Sequence, residues 1–123
     1  MKKPVAAPGL THLRVTLSDS FYVGPGRADL LEGIAETGSI SAAGKRMDMS
    51  YKRAWSLVQA LNDGWGTPLV ETSRGGAGQG GATLTPDGEF VLLRYRAMQA
   101  ATREAIAADV MALGKRRDMS RKK

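Results

Sequence analysis

The sequence predicts a mainly α domain with one small β-hairpin and a long C-terminal helix. Three observations carry that expectation. Apolar residues recur at helical spacing through Ala28–Thr37 and again after Ser50. Two short strand-like segments, Leu69–Ser73 and Ala82–Thr85, flank the glycine-rich stretch RGGAGQGG. After Thr85-Pro86-Asp87, a strong helix start, the chain meets no breaker until Gly114.

Size and composition bound the rest. The chain has 123 residues, 42% of them hydrophobic, enough for one modest core. No apolar run approaches the roughly 20 residues of a membrane helix. The opening MKKPVAAPGL lacks the apolar run and cleavage pattern of a signal peptide, so a cytoplasmic location and no membrane partner are expected. With no cysteine there is no disulfide framework, thiolate metal site or cysteine nucleophile.

In chain order, residues 1–10, with Pro4, Pro8 and Gly9, read as a disordered arm, and 11–85 as the domain proper. His12–Leu17 alternates, placing Leu13, Val15 and Leu17 on one face of a half-buried strand. Gly24-Pro25-Gly26 breaks the chain and opens a helix whose apolar residues are Leu30, Leu31, Ile34 and Ala35, ended by Gly38. Ser39, or alternatively Ser41, caps a second helix from about Ile40 to Met47. Asp48 then tolerates the left-handed backbone a sharp turn demands, and Ser50 caps a third helix that runs through Leu61 and stops near Gly64. The last helix spans 86–113, about 28 residues or roughly 42 Å. Its Ala97, Met98, Ala101, Ala105, Ile106, Val110 and Met111 exceed what this core can cover, which points to a second subunit. Residues 114–123 read as a disordered basic tail.

The net charge of +6 is mostly a property of the two ends, which hold eight of the 18 Lys and Arg residues. The informative cluster is local: Lys45, Arg46, Lys52 and Arg53 stand against Asp48 alone. At about 100° per residue, the helix after Ser50 gathers Ala54, Leu57, Val58, Leu61 and Trp65 on an inner face. Lys52, Ser56 and Gln59 lie opposite, with Arg53 on one flank and Tyr51, Trp55 and Asn62 on the other. Such an outer face offers cations for phosphates and long side chains for base edges, as a helix entering a DNA groove requires. Trp55 either packs at the edge of the core or touches a DNA sugar or thymine methyl. An amphipathic helix alone would prove little. The preceding helix, the turn Asp48-Met49-Ser50 and the hairpin behind it make this a helix-turn-helix with a β wing.

The glycine stretch formally matches G-x-G-x-x-G, but it leads into a strand rather than a helix and lacks the Lys-Ser/Thr pair of a phosphate loop, so nucleotide binding is disfavoured. As a wing tip, Gly76 and Gly78 let backbone approach a sugar-phosphate ridge, with Arg74 at the root and Gln79 at the tip. His12 reads as a solvent-facing strand residue; Glu32, Glu36, Glu89 and Glu104 read as solvated helix residues. Ser18 and Ser20 lack a companion base, so no catalytic residue, cofactor or metal is expected.

The segments LLEGIAETGSISAAGKRMDMSYKRAWSLVQALN and PLVETSRGGAGQGGATLTPDGEFVLLRYRAM resemble the N-terminal DNA-binding domain of ModE-type molybdate-responsive regulators, whose winged helix is related to the LysR type. The likeness covers about residues 12–112 and is most specific at Ser50-Tyr51-Lys52-Arg53-Ala54-Trp55, in the glycine-rich wing, and at Leu84-Thr85 followed by Gly88. It implies a winged helix-turn-helix homodimer joined by the long last helix and the first strand. It further implies that Lys52, Arg53, Ser56 and Gln59 face the major groove of double-stranded DNA, while Arg74 and the wing tip meet its backbone. Full-length members continue into molybdate-binding domains, and no segment here resembles their oxyanion-binding motif. Related turns often carry glycine where this chain has Asp48.

The expected function is therefore a sequence-specific, DNA-binding transcriptional regulator that binds palindromic sites as a homodimer. Ser50, Tyr51, Lys52, Arg53, Ser56, Gln59, Lys45, Arg74, Gly76, Gly78 and Gln79 are its candidate DNA contacts. A non-specific nucleic-acid-binding protein and a molybdate- or oxyanion-binding module at a dimer interface are the alternatives; no small-molecule effector is identified.

Overall fold

The computed structural model describes residues 8–73 and 81–121. The elements run β1 (Val15–Ser18), β2 (Phe21–Val23), α1 (Pro25–Thr37), α2 (Ile40–Arg46), α3 (Tyr51–Trp65), β3 (Val70–Ser73), β4 (Gly81–Leu84) and α4 (Pro86–Arg121). β1 pairs antiparallel with β2, and β3 with β4. The second pair is the wing. The first is not foreseen by the alternation, because a three-residue partner, Phe-Tyr-Val, is too short for any period to register. Its register slips between Thr16 and Ser18. Leu17 thus falls at the bulge and is 65% exposed instead of joining Leu13 and Val15 against the core.

Local chemistry sets the helix ends. Pro25 occupies the first turn of α1, and Gly38 (φ 72°) closes it, donating its N–H to Ile34 O at 2.8 Å. The Ser39 hydroxyl accepts the Ala42 N–H at 3.0 Å, and the Ser50 hydroxyl accepts the Arg53 N–H at 3.1 Å. These caps stabilise α2 and α3 by about 1 kcal/mol each. Asp48, with φ 56°, is the one non-glycine residue with a left-handed backbone among those described.

Two helix ends differ from expectation. α3 passes through Gly64 and ends at Trp65, capped by Gly66 with φ 104°. Gly64 is there for contact: a Cβ on it would lie 2.3 Å from Ser20 O, so it lets α3 rest on the β1–β2 turn. α4 likewise passes through Gly114 and reaches Arg121, so residues 114–121 are helical and not a disordered tail. One interior glycine costs about 1 kcal/mol, and the Lys115-Arg116-Arg117 that follow are good helix formers with no proline behind them.

The core lies where α1, α3 and the first turns of α4 meet between the two hairpins. Leu30, Leu31, Ile34, Val58, Leu61, Leu69 and Tyr95 are its largest fully sealed side chains. Each such aliphatic burial contributes roughly 1.5–3 kcal/mol. Thr85 starts α4 by accepting the Gly88 N–H at 3.0 Å while donating to Pro68 O at 2.8 Å. Farther along, Tyr95 Oη donates to Leu13 O at 2.6 Å, and Arg96 meets Asp29 and Glu32 of α1 at 2.8 and 2.9 Å. Glu32 is therefore half-buried and paired, not simply solvated.

Candidate nucleic-acid interface

α3 divides as its angular pattern predicts. Ala54, Val58 and Leu61 are at most 1% exposed, while Leu57 and Trp65 are half-buried against the same core. On the other side Lys52, Arg53 and Ser56 are exposed, and Gln59 is half-buried. The turn Met47–Ser50 places α2 against the start of α3, so Lys45 and Arg46 at the end of α2 join the exposed set. Arg46 is not free, however: its guanidinium lies 2.7 Å from Glu36. Lys45, Lys52 and Arg53 have no ion-pair partner among the described residues.

The wing stands beside this face because β4 is tied to the α1–α2 junction: Ala82 N–H donates to Gly38 O at 2.9 Å. Its other anchor is Asn62 of α3. The Asn62 carboxamide oxygen accepts the Leu69 and Val70 N–H groups at 2.8 and 3.1 Å, and its amide nitrogen donates to Val70 O at 3.1 Å. One α3 side chain thereby fixes the strand that carries the wing. Between wing and helices runs an open groove of about 430 Å³, bordered by Ser39, Ser41, Tyr51, Trp55, Thr72 and Ser73.

Trp55 is on this groove, 38% exposed, its ring stacked on Tyr51 with centroids 6.5 Å apart and planes 18° from parallel. It lies outside the hydrophobic core cluster, partly covered and partly open to the groove. Ser39, Ser41, Thr72 and Ser73 also border the groove; in the sequence Ser39 and Ser41 read only as helix caps, and the short polar residues at the end of β3 are the available signal for the other two. Arg74, Gly76, Gly78 and Gln79 lie outside the described residues. His12 is exposed but precedes β1 instead of lying within it. Among the described residues no His, Asp and Glu side chains gather into a metal-binding group, and no helix is long and apolar enough to cross a membrane.

A capped three-helix unit with a two-stranded wing, its third helix polar outward and sealed inward, defines the winged helix-turn-helix class. Residues 27–89, just over half of the chain, match the bacterial regulatory helix-turn-helix proteins of the lysR family, and the chain belongs to that family. It is 42% identical over 86 residues to the molybdenum-pterin-binding protein MopB of Rhodobacter capsulatus, covering 70% of this chain and 32% of that protein. To the DNA-binding transcriptional dual regulator ModE of Escherichia coli K12 it is 39% identical over 83 residues, covering 68% and 32%. The chain thus spans about a third of the length of these relatives. Among solved structures it is similar to the CbnR_DBD–DNA complex, with a TM-score of 0.54 and 28% identity over 70% of this chain and 94% of that one.

Proposed function

We propose that this chain is a sequence-specific DNA-binding transcriptional regulator that acts as a homodimer in the cytoplasm, without catalytic activity of its own. The observation that carries the reading is α3: a helix sealed along one side and presenting Lys52, Arg53, Ser56 and Gln59 along the other, next to the wing. In this reading the start of α3 enters the major groove, Gln59 and Lys52 read base edges, and Lys45, Arg53 and the Ser50 end of the helix hold phosphates. Arg74 with Gly76, Gly78 and Gln79 follows the adjoining backbone.

Dimerisation is supported by the surface that α4 leaves bare. Leu17, Phe90 and Met98 are 40–65% exposed at an apolar cleft of about 260 Å³, and Leu93 is 69% exposed on the same helix. Beyond Gln99, the half-buried Ile106 and Val110 continue the inner line of α4. Two copies joined there would present two α3 helices to one face of a duplex, for palindromic half-sites about 34 Å apart or a multiple of it.

Selection of bound fragments from random duplexes tests this, followed by competition against random DNA at several salt concentrations. The expected result is a palindromic site bound roughly a thousandfold or more above random sequence. Gln59→Ala shifts the preferred sequence, whereas Arg74→Ala weakens all duplexes alike and lowers the salt slope by about one. Equal affinity for every duplex would make the protein a non-specific binder instead.

A further inference from the structure

We propose that the stacked pair Tyr51–Trp55 reads thymine through its 5-methyl group. The proposal rests on the DNA-binding reading and adds the chemical feature recognised at one position of the site. Tyr51 and Trp55 stand one turn apart on the first half of α3 and remain 57% and 38% exposed. The domain covers them only in part, although the side of α3 that carries them is otherwise charged and polar. With centroids 6.5 Å apart and planes 18° from parallel, the two rings stack and present one largely apolar aromatic surface. The stacked rings form one wall of the groove toward the wing, which Ser39, Ile40, Ser41, Thr72, Ser73 and Ala82 also line.

The first turns of a recognition helix are the part that meets base edges. Along the major groove those edges present donors and acceptors, and the one apolar group among them is the thymine methyl. An aromatic pair beside Lys52 and Ser56 therefore has a single matching feature among the base edges of an intact duplex. Deoxyribose carbons are the competing occupant, but every nucleotide carries them, so contact with them cannot discriminate between sequences.

Deoxyuridine differs from thymidine by that methyl alone. In the selected site, each thymidine is replaced in turn by deoxyuridine, symmetrically in both half-sites, and binding by the full chain is measured. One position is expected to respond, weakening about fourfold per half-site, the value of one buried methyl group. Trp55→Ala and Tyr51→Ser are then expected to bind the thymidine and deoxyuridine duplexes equally. Tyr51→Ser alters an exposed residue of the first turn and stays folded, so it decides the matter should Trp55→Ala unfold. If the wild-type protein prefers its site over random DNA but no thymidine responds, the methyl inference is wrong and the DNA reading stands. Variants that weaken both duplexes while preserving their ratio also overturn it. A wild-type protein that selects no site removes the functional reading and this inference together.

Discussion

The two long helices, α3 and α4, are pinned in the same way and finished in opposite ways. Each is pressed onto backbone by one glycine: Gly64 of α3 on Ser20 O, and Gly88 of α4 on Leu69 O. Past the pin they diverge. α3 is sealed along its inner side from Ala54 to Leu61 and polar along most of the other. α4 has no buried residue after Gln99, yet its exposed length carries Met111 and Leu113 among its basic residues. A polar face suits a charged, hydrated partner, whereas an unsealed apolar line suits a copy of itself. The contrast teaches that helix length alone says little about role; what remains unsatisfied on each helix says more.

The pins offer the largest test. In Gly88→Ala the new Cβ would stand 2.1 Å from Leu69 O, and in Gly64→Ala 2.3 Å from Ser20 O. Backbone cannot yield as a side-chain tip can, so each substitution is expected to cost about 3 kcal/mol or more. A thermal melt reads this directly. A Tm unchanged in either variant would mean that its helix does not lie on that carbonyl, and the symmetry between the two helices would be lost.

Next in size is the apolar line that α4 carries beyond Gln99. Ile106→Glu combined with Val110→Glu adds charges beyond the last buried residue, Gln99, so the domain itself should melt as before. If two copies join along this line as proposed, dimer dissociation measured by sedimentation should become at least about a hundredfold easier, since two apolar side chains per subunit would lose their cover. A dimer as tight as the wild type would place the interface on the β1 cleft alone.

The comparison sharpens at Tyr95, where α4 leaves the core. Its hydroxyl donates to Leu13 O, and burial raises the phenol above its ordinary value of 10.0. With the folded value raised, the stability it contributes is complete below pH 10 and declines as pH climbs through the folded value. Tyr95→Phe should cost about 1 kcal/mol near neutrality for the lost hydrogen bond. It should also lessen the alkaline loss of stability seen in denaturant titrations above pH 10. An identical alkaline profile in the variant would locate that loss elsewhere.

These residues also show what a sequence exposes and what it hides. The α3 face was legible because 3.6-residue periodicity and the Ser50 cap act within a few residues of each other. Asp48 was legible for the same reason: few residue types tolerate its backbone. The β1–β2 hairpin, the role of Gly64 and the position of Trp55 depend on partners distant in the chain, which no local pattern encodes. Gly114 misleads in the opposite direction, because a breaker's local penalty is smaller than the continuity of helix formers on either side. The candidate DNA contacts, Lys45 at the end of α2 and Ser50, Tyr51, Lys52, Arg53, Ser56 and Gln59 at and along α3, are a proposal for the binding experiments to test.

The smallest expected effect probes the charge of the α3 face. Asp48 is exposed in the turn that joins the end of α2 to the start of α3, the one acid between Lys45 and Arg53. Asparagine tolerates the same left-handed backbone, so Asp48→Asn removes the charge and leaves the turn intact. If α3 approaches phosphates as proposed, losing a nearby negative charge should tighten binding about two- to fivefold at low salt, for selected and random duplexes alike. The gain should fade as added salt screens it, while the melting temperature stays where it was. An affinity indifferent to this substitution at low salt would mean that the turn lies more than a Debye length, roughly 10 Å at 0.1 M, from any phosphate. The apolar line of α4 would then be the stronger functional feature of the two helices.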